Sequence, residues 1–494
     1  MSDKNLQKPT LDKDLAKVVH MEQASGFISK GFAGQGIALT FLVLVGVIAA
    51  VLTDGYSGSI FIVAAAVLGG YMALNIGAND VANNVGPAVG ANAMTMTTAL
   101  IIAAIFESAG ALLAGGDVVS TISKGIIDPA AVDSAEVFVW AMMAALVSSA
   151  LWVNLATWVG APVSTTHSVV GGVMGAGIAA AGFSAVNWVT MSQIAASWVI
   201  SPVLGGLIAA GFLWFIKHNI IYRDDKIAAA RRWVPVLIAI MAGAFATYLA
   251  MKGLKKIIKI DLQTAILIGV GAAVLLYAIT KPLIRKQSEG MENRNQSLRK
   301  LFNIPLIFSA ALLSFAHGAN DVANAVGPLA AIVHTVEAGD VATKVSIPFW
   351  VMIIGAFGIS FGLLLFGPKL IKMVGAQITK LNPMRAYCVA LAAAITVIIA
   401  SWLGLPVSST HIAVGGVFGV GFFREWYTKN SKRRLAFAKP GVVTEVKRLG
   451  SEEIRHRKLV RRSHFLTIAA AWIITVPAAA IMSMIVFHLL NMLS

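Results

Sequence analysis

Charged residues are scarce in this sequence, and that scarcity excludes most soluble folds. Asp, Glu, Lys and Arg make up 13% of the 494 residues, while hydrophobic residues make up 57%. Mean hydropathy is +0.79. A soluble domain carries about 25% charged residues. The deficit predicts a chain that lies mostly in lipid.

Cysteine and metal-binding motifs are equally scarce. Cys388 is the single cysteine, which excludes an intramolecular disulfide and a cysteine-based metal cluster. No HExxH motif occurs, so metal catalysis has no support. The net charge is +16, but the basic residues cluster in a few loops without interleaved aromatics, and nucleic acid is therefore not indicated as a partner. We predict no cofactor and no metal ion other than a transported sodium.

Long apolar runs recur along the whole chain. Most approach or exceed the roughly 17–25 residues that cross a bilayer as a helix. Three further runs, 60–90, 162–183 and 406–423, are apolar but interrupted by polar residues. The runs are continuous and do not alternate, which favours helices over barrel strands. We therefore expect an all-α polytopic membrane protein with thirteen crossings.

Loop charge predicts the orientation of these crossings, because positive residues favour the cytoplasmic side. The basic segments, predicted to lie inside, are 217–232, 281–300, 368–385 and 424–464. The acidic or neutral segments, predicted to lie outside, are 54–59, 115–136 and 334–344. Segment 252–261 disagrees, since it carries four lysines but alternation places it outside.

The N-terminus does not have the pattern of a signal peptide. Residues 1–35 are polar and carry both charge signs, whereas a cleavable signal has a short basic start and a short apolar core. We interpret them as a cytoplasmic tail. The expected location is the plasma (inner) membrane, with many crossings and a cytoplasmic N-terminus.

Two motifs occur twice, in the same order. Residues 77–87 read GANDVANNVGP and residues 318–328 read GANDVANAVGP. Downstream, residues 162–173 read PVSTTHSVVGGV and residues 406–417 read PVSSTHIAVGGV. This recurrence indicates a duplicated unit.

The predicted orientation gives the two copies opposite directions through the membrane. Inverted-topology repeats with broken or re-entrant helices are typical of transporters, whose substrate lies near the midplane at the repeat interface. The expected division of the chain is a cytoplasmic tail with an extra first helix, a first repeat, central loops with two linking helices, a second repeat, a basic cytoplasmic loop and a C-terminal helix. These units span 1–58, 59–216, 217–300, 301–423, 424–464 and 465–494, respectively.

The first motif places polar residues inside an apolar run and follows them with Gly-Pro. An unwound turn there would expose N–H groups at the positive end of a half-helix, which suits an anion. Asp80 and Asp321 instead suit a cation or a proton that moves with the anion. The alternative is a helix-kink motif whose side chains bond neighbouring backbone. The asparagines that would add donors are Asn79, Asn83, Asn320 and Asn324.

The second motif supplies hydroxyl groups, which both donate and accept hydrogen bonds and so suit a tetrahedral oxyanion that keeps a proton. They are Ser164, Thr165, Thr166, Ser408, Ser409 and Thr410. The alternative is that they bond back to their own helix. His167 and His411 are predicted to be structural more often than ligating.

Other polar residues in apolar runs are weaker candidates. Glu107 is a candidate for ion coupling, and a structural hydrogen bond is the equal alternative. Asn75 and Asn154 are weaker still. Tryptophans near helix ends, Trp198 among them, are typical of interfacial belts.

The paired GANDVAN and PVS(T/S)TH motifs resemble those of the inorganic phosphate transporter (PiT) family, over about 60–216 and 301–490. The resemblance implies a symporter, not an enzyme, that moves phosphate by alternating access, driven by a sodium or proton gradient. It implies that the coupling cation lies near the Asn-Asp pairs. It further implies phosphate ligands drawn from Asn79, Asp80, Asn83, Ser164, Thr165, Thr166, Asn320, Asp321, Asn324, Ser408, Ser409 and Thr410.

Three other functions stay open from the sequence. Relatives with similar motifs carry sulfate, so a sulfate or other oxyanion permease is the nearest alternative. An intramembrane enzyme built on Asp80, Asp321 and the histidines is a second, and a channel is a third. The oligomeric state is also open, with a homo-oligomer as one option.

Overall fold

The computed structural model describes residues 33–128, 131–159, 163–253, 260–339, 347–377, 381–431 and 462–492. The predicted N-terminal tail and most of the basic loop 424–464 lie outside the described residues. Within them the chain is helical, apart from loops and one isolated β-bridge between Ile127 and Val186.

The described helices are numbered in chain order. They are α1 Ala33–Leu52, α2 Ser59–Asn84, α3 Gly86–Gly90, α4 Met96–Ala114, α5 Gly116–Lys124, α6 Ala135–Val159, α7 Thr165–Ala181, α8 Trp188–Ile216, α9 Lys226–Lys252, α10 Leu262–Gln287, α11 Asn295–Leu301, α12 Asn303–Ala338, α13 Phe349–Gln377, α14 Pro383–Trp402, α15 Ser409–Asn430 and α16 Arg462–Asn491.

Eleven of the described helices are long and apolar enough to cross a membrane. The two remaining crossings that the sequence predicts correspond to α7 and α15, which are not among the eleven. Helix α7 has only 17 residues, and α15 carries Arg424, Glu425 and Lys429 near its end. Both helices begin inside the second motif, so their starts are fixed by the site.

Burial separates a central helix from peripheral ones. In the apolar stretch of α12, 89% of the residues are buried, compared with 11% in α1 and in α10. Helix α1 packs on the outside of the bundle, where the rings of Phe41 and Phe361 have centroids 5.3 Å apart. The copy of the GAND motif on α12 therefore lies at the centre of the molecule.

The GAND motifs are helical, which differs from the expected unwound turns. Helix α2 continues through the first eight residues of its motif to Asn84, and the chain then bends at Val85, just before the Gly-Pro of the motif begins α3. Helix α12 continues through its motif and through Pro328. The physical reason is that the motif glycines serve close packing rather than unwinding. A Cβ on Gly77 or Gly318 would collide with backbone of the helix packed against it.

Contacts between the halves come in equivalent pairs. Ser108 and Ser360 contact each other through their hydroxyl groups at 2.6 Å. Ser108 Oγ also lies 3.4 Å from the Ala356 carbonyl, while Ser360 Oγ donates to the Ala104 carbonyl at 2.9 Å. Such reciprocity is what a two-fold axis between the halves requires. Glycine contacts repeat the pattern. Gly77 contacts Ile359 as Gly318 contacts Glu107, and Gly115 contacts Val322 as Gly367 contacts Val81.

Candidate functional site

The twelve predicted phosphate ligands and Glu107 are all buried, each at most 8% exposed. Helices α2 and α12 bring the two motif carboxylates to one place. The Thr165 hydroxyl lies 2.9 Å from Asp80 Oδ2 and 3.4 Å from Asp321 Oδ2. The Asn-Asp segments of the two halves are therefore neighbours, and both face a residue of the second motif.

Hydrogen bonds cross between the halves. Asn83 Nδ2 donates to Thr410 Oγ1 at 2.8 Å, and Asn324 Nδ2 donates to Thr166 Oγ1 at 3.2 Å. Thr410 and Thr166 hold equivalent places in the two copies of the second motif. Thr410 also donates to Asp80 Oδ1 at 3.0 Å. Each first motif is therefore held by the second motif of the opposite half.

Helices α7 and α15 begin at this cluster. Ser164 accepts a hydrogen bond from the His167 N–H at 3.1 Å, and Ser408 accepts one from the His411 N–H at 3.3 Å. Both serines are N-cap residues, because their extended backbone precedes a helix and their oxygen accepts an orphan N–H. The positive ends of two helix dipoles thus face the site, which favours an anion there.

Asn79 and Asn320 differ in whether their side-chain oxygen has a hydrogen-bond partner. Asn79 Nδ2 donates to Thr157 Oγ1 at 2.9 Å, while its buried Oδ1 has no hydrogen-bond partner. Asn320 Nδ2 donates to Ser401 Oγ at 3.0 Å and to a backbone carbonyl, and its Oδ1 accepts from the Val407 N–H at 3.2 Å. Asn320 therefore fixes the loop before α15, whereas Asn79 retains a buried acceptor.

Sequence reasoning missed His317, which is the hub of the buried charges. Its Nδ1 lies 3.2 Å from Glu107 Oε2, and its Nε2 lies 3.2 Å from Asp321 Oδ2 and 3.7 Å from Asp80 Oδ2. Asn84 Nδ2 completes the network by donating to Glu107 Oε1 at 2.8 Å. The signal was available, since a histidine directly precedes the second GAND motif.

The two halves differ at these positions. Ile76 precedes the first GAND motif where His317 precedes the second. Gly77 packs on Ile359 as Gly318 packs on Glu107, so Ile359 is the counterpart of Glu107. The contact between α4 and α12 thus carries an acid and an imidazole where the equivalent contact between α2 and α13 carries two isoleucines, which makes the site asymmetric.

His167 and His411 lie next to each other between α7 and α15. Their ring centroids are 4.4 Å apart in an edge-on arrangement, and the Trp198 ring lies 3.8 Å from His167. Trp198 also donates its indole N–H to the Pro406 carbonyl at 3.1 Å. Trp198 therefore packs against the second motif of both halves, which is a contact that the sequence did not indicate.

The polar atoms of the site fall into two groups, one that suits an anion and one that suits a cation. Hydroxyls and amide N–H groups beside two helix starts suit an oxyanion. Asp80, His317 and Asp321 each offer one ligand atom, and these atoms lie within 4.8 Å of one another. Buried oxygens without a hydrogen-bond partner include Asn79 Oδ1, Asp321 Oδ1 and Asn324 Oδ1. Carboxylate and amide oxygens of this type suit a hard cation.

A helical bundle that buries opposed carboxylates beside an anion-binding pair of helix starts defines a membrane transporter, since such groups in lipid mark substrate and ion pathways. Comparison with known proteins gives the same class. The model of the phosphate transporter family matches residues 76–483.

Relatives and a solved structure agree with that match. A Helicobacter pylori protein named "Putative phosphate permease" is 45% identical over 96% of this chain and 98% of its own length. A Pyrococcus abyssi protein with the same description is 35% identical over 86% and 96%. A structure titled "The sodium-dependent phosphate transporter" has a TM-score of 0.78 at 34% identity, covering 88% of this chain and all of its own.

The chain belongs to the phosphate transporter family. It is a multi-pass membrane protein of that family, it transports phosphate, and it is not an enzyme. The resemblance found in the sequence is confirmed.

Proposed function

We propose that the chain is a symporter that moves phosphate together with sodium. The observation that carries the proposal is the meeting of Asp80 and Asp321 at the Thr165 hydroxyl, deep inside the bundle. Two buried carboxylates repel each other unless a cation or proton lies between them. Sodium fits because three buried oxygens of the motifs, Asn79 Oδ1, Asp321 Oδ1 and Asn324 Oδ1, have no hydrogen-bond partner, and because the similar solved structure is titled as sodium-dependent.

Phosphate binds, on this proposal, where α7 and α15 begin. Thr165, Thr166, Ser409 and Thr410 offer hydroxyls beside the two helix dipoles, and Asn83 and Asn324 offer amide groups from the opposite half. Ser164 and Ser408 contribute by capping the helices, and Asn320 by fixing a loop. On this proposal the anion and the cation bind next to each other in one buried site.

The paired contacts between the halves support alternating access as the mechanism. The proposed moving units are 59–216 and 301–423, related by the two-fold axis and inverted in the membrane. We place the chain in the plasma (inner) membrane with a cytoplasmic N-terminus, because the basic loops favour that side. The site is complete within one chain, so the proposal does not require a homo-oligomer.

A proton is the second candidate for the coupling ion, and His317 favours it. An imidazolium there would lie between Glu107 and the two aspartates and would neutralise part of their charge. The sodium proposal and the proton proposal predict different dependence of uptake on the two gradients.

The test is uptake of labelled phosphate into proteoliposomes with sodium and pH varied independently. We expect concentrative uptake under an inward sodium gradient at equal pH. Uptake that follows only the pH gradient would replace sodium by the proton. Uptake under neither gradient would overturn symport, and competition by sulfate at equal concentration would show an oxyanion site that does not select phosphate.

A further inference from the structure

A cavity of about 720 Å³ lies between α1, α2, α6 and α13, outside the buried site. Much of its lining is apolar, but Asn75, Asn154, Thr157 and Lys369 also line it. Polar side chains at membrane depth face protein or water-filled space, because their exposure to lipid is costly. The lining thus indicates water rather than lipid in this cavity.

One hydrogen bond separates the cavity from the site. Thr157 lines the cavity and accepts the hydrogen bond from Asn79 Nδ2 at 2.9 Å. Asn79 precedes Asp80 and is 1% exposed. Farther out, Asn154 Nδ2 donates to Asn75 Oδ1 at 3.0 Å. Asn75, Asn154 and Thr157 therefore give the cavity a polar wall, and Thr157 contacts Asn79 directly beside Asp80.

This cavity has a counterpart, which is lined by the equivalent positions of the two repeats. The counterpart has a volume of about 250 Å³. The residues Leu365, Phe366, Pro368, Lys369 and Trp158 of the larger cavity correspond to Leu113, Ala114, Gly116, Asp117 and Trp402 of the smaller one.

The counterpart cavity has a smaller volume because an ion pair crosses it. Lys252 forms an ion pair with Asp117 and lies 3.4 Å from the Trp402 carbonyl. The amides are also absent there, since Ala316 holds the place of Asn75 before its GAND motif and Ile398 holds the place of Asn154 before its second motif. The two asparagines are therefore not remnants of a shared helix-packing pattern.

We propose that the larger cavity is an aqueous vestibule for the transported oxyanion, with Asn75, Asn154 and Lys369 as a waypoint and the Asn79–Thr157 hydrogen bond as its inner gate. Lys369 attracts the anion electrostatically, and the amides replace part of its hydration shell. On the predicted topology this vestibule opens to the cytoplasm. The proposal rests on phosphate transport as the function, but its test below does not.

Cysteine labelling tests the vestibule, because the only native cysteine, Cys388, is fully buried. Asn154→Cys points the thiol into the cavity, and the adjacent Leu155→Cys is the control, since Leu155 is 50% exposed and does not line it. We expect an anionic, membrane-impermeant methanethiosulfonate to modify Asn154→Cys at least about tenfold faster than Leu155→Cys, from one side of the membrane only. Ile398→Cys, at the two-fold position, should react slowly from that side.

Two further labelling measurements test the vestibule, one with the charge of Lys369 removed and one with phosphate present. Adding Lys369→Gln should lower the rate with the anionic reagent by about tenfold relative to a cationic one, because one nearby charge changes the local ion concentration by that order. Phosphate should slow the modification of Asn154→Cys. Ala38→Cys, on α1 in the same cavity, replaces Asn154→Cys if that variant does not fold.

Two results would overturn the vestibule. One is modification of Asn154→Cys only by a membrane-soluble maleimide, at the rate of Leu155→Cys, which would show a lipid-filled crevice. The other is an anionic rate that does not respond to Lys369→Gln. The labelling does not depend on uptake. Unlabelled vesicles of the native chain that fail to take up phosphate would therefore count against the proposed function and leave the vestibule standing.

Discussion

Asp80 and Asp321 share the Thr165 hydroxyl, and replacing either carboxylate by an amide removes the charge that a coupling cation needs. We predict that Asp80→Asn and Asp321→Asn each lower sodium-driven phosphate uptake by at least about tenfold, since a contact to a charged group is worth about 1.5–3 kcal/mol. The measurement is initial uptake at equal amounts of protein in the membrane. Asp54→Asn, at an exposed loop position, is the matched control and should be unchanged.

Variants of the Glu107–His317 pair can separate effects on stability from effects on transport, because the equivalent contact between α2 and α13 is apolar and consists of Ile76 and Ile359. Removing one partner of a buried pair costs about 3–5 kcal/mol, whereas replacing both by apolar residues is often neutral. We predict that His317→Ile alone lowers the melting temperature strongly. Combined with Glu107→Ile, it should regain much of that stability but not phosphate uptake. A double variant that transports like the native chain would make the pair merely structural.

Helix packing depends on glycines at the contacts between the halves. A Cβ on Gly318 would collide with the backbone of Glu107. We predict that Gly318→Ala destabilises the protein by about 1–3 kcal/mol, the usual cost of overpacking. Gly271→Ala is the control, because a Cβ there meets nothing within 4 Å, and it should be neutral or stabilising. Thermal unfolding in detergent compares the two, and equal melting temperatures would contradict the packing role.

The helices and motifs could be predicted from sequence because their signals are local. Apolar runs and duplicated motifs revealed the family and the meeting of the Asn-Asp segments. The roles of Gly77 and Gly318 could not be read in this way, since a glycine that breaks a helix and one that lets two helices touch look alike. The role of His317 and the contacts of Trp198 with the second motif were missed for a related reason, because only the three-dimensional structure places these residues against residues far along the chain.

At the scale of the whole molecule, an ion pair at one end bears on the one loop that disagreed with the charge rule. Segment 252–261 is basic although alternation places it beside the acidic segment 115–136. Lys252 pairs with Asp117, so at least this lysine is on the same side as the acidic segment. The orientation itself stays a prediction, but the pairing shows why a positive charge is tolerated at that end.

The Lys252–Asp117 ion pair crosses the smaller cavity, and its removal should change the accessibility of both cavities. The Asp117 and Lys252 side chains are 50% and 20% exposed, and an ion pair of this kind is worth about 0.2–1 kcal/mol. Asp117→Asn should therefore change the equilibrium between the state that is open at the larger cavity and the state that is open at the smaller cavity by no more than about fivefold. We expect labelling of Ile398→Cys to become up to about fivefold faster, while labelling of Asn154→Cys becomes slower. Asp128→Asn, in the same predicted loop, controls for the general loss of negative charge. Faster labelling at both positions would indicate local loosening, whereas opposite changes would show that the two cavities exchange access as one unit.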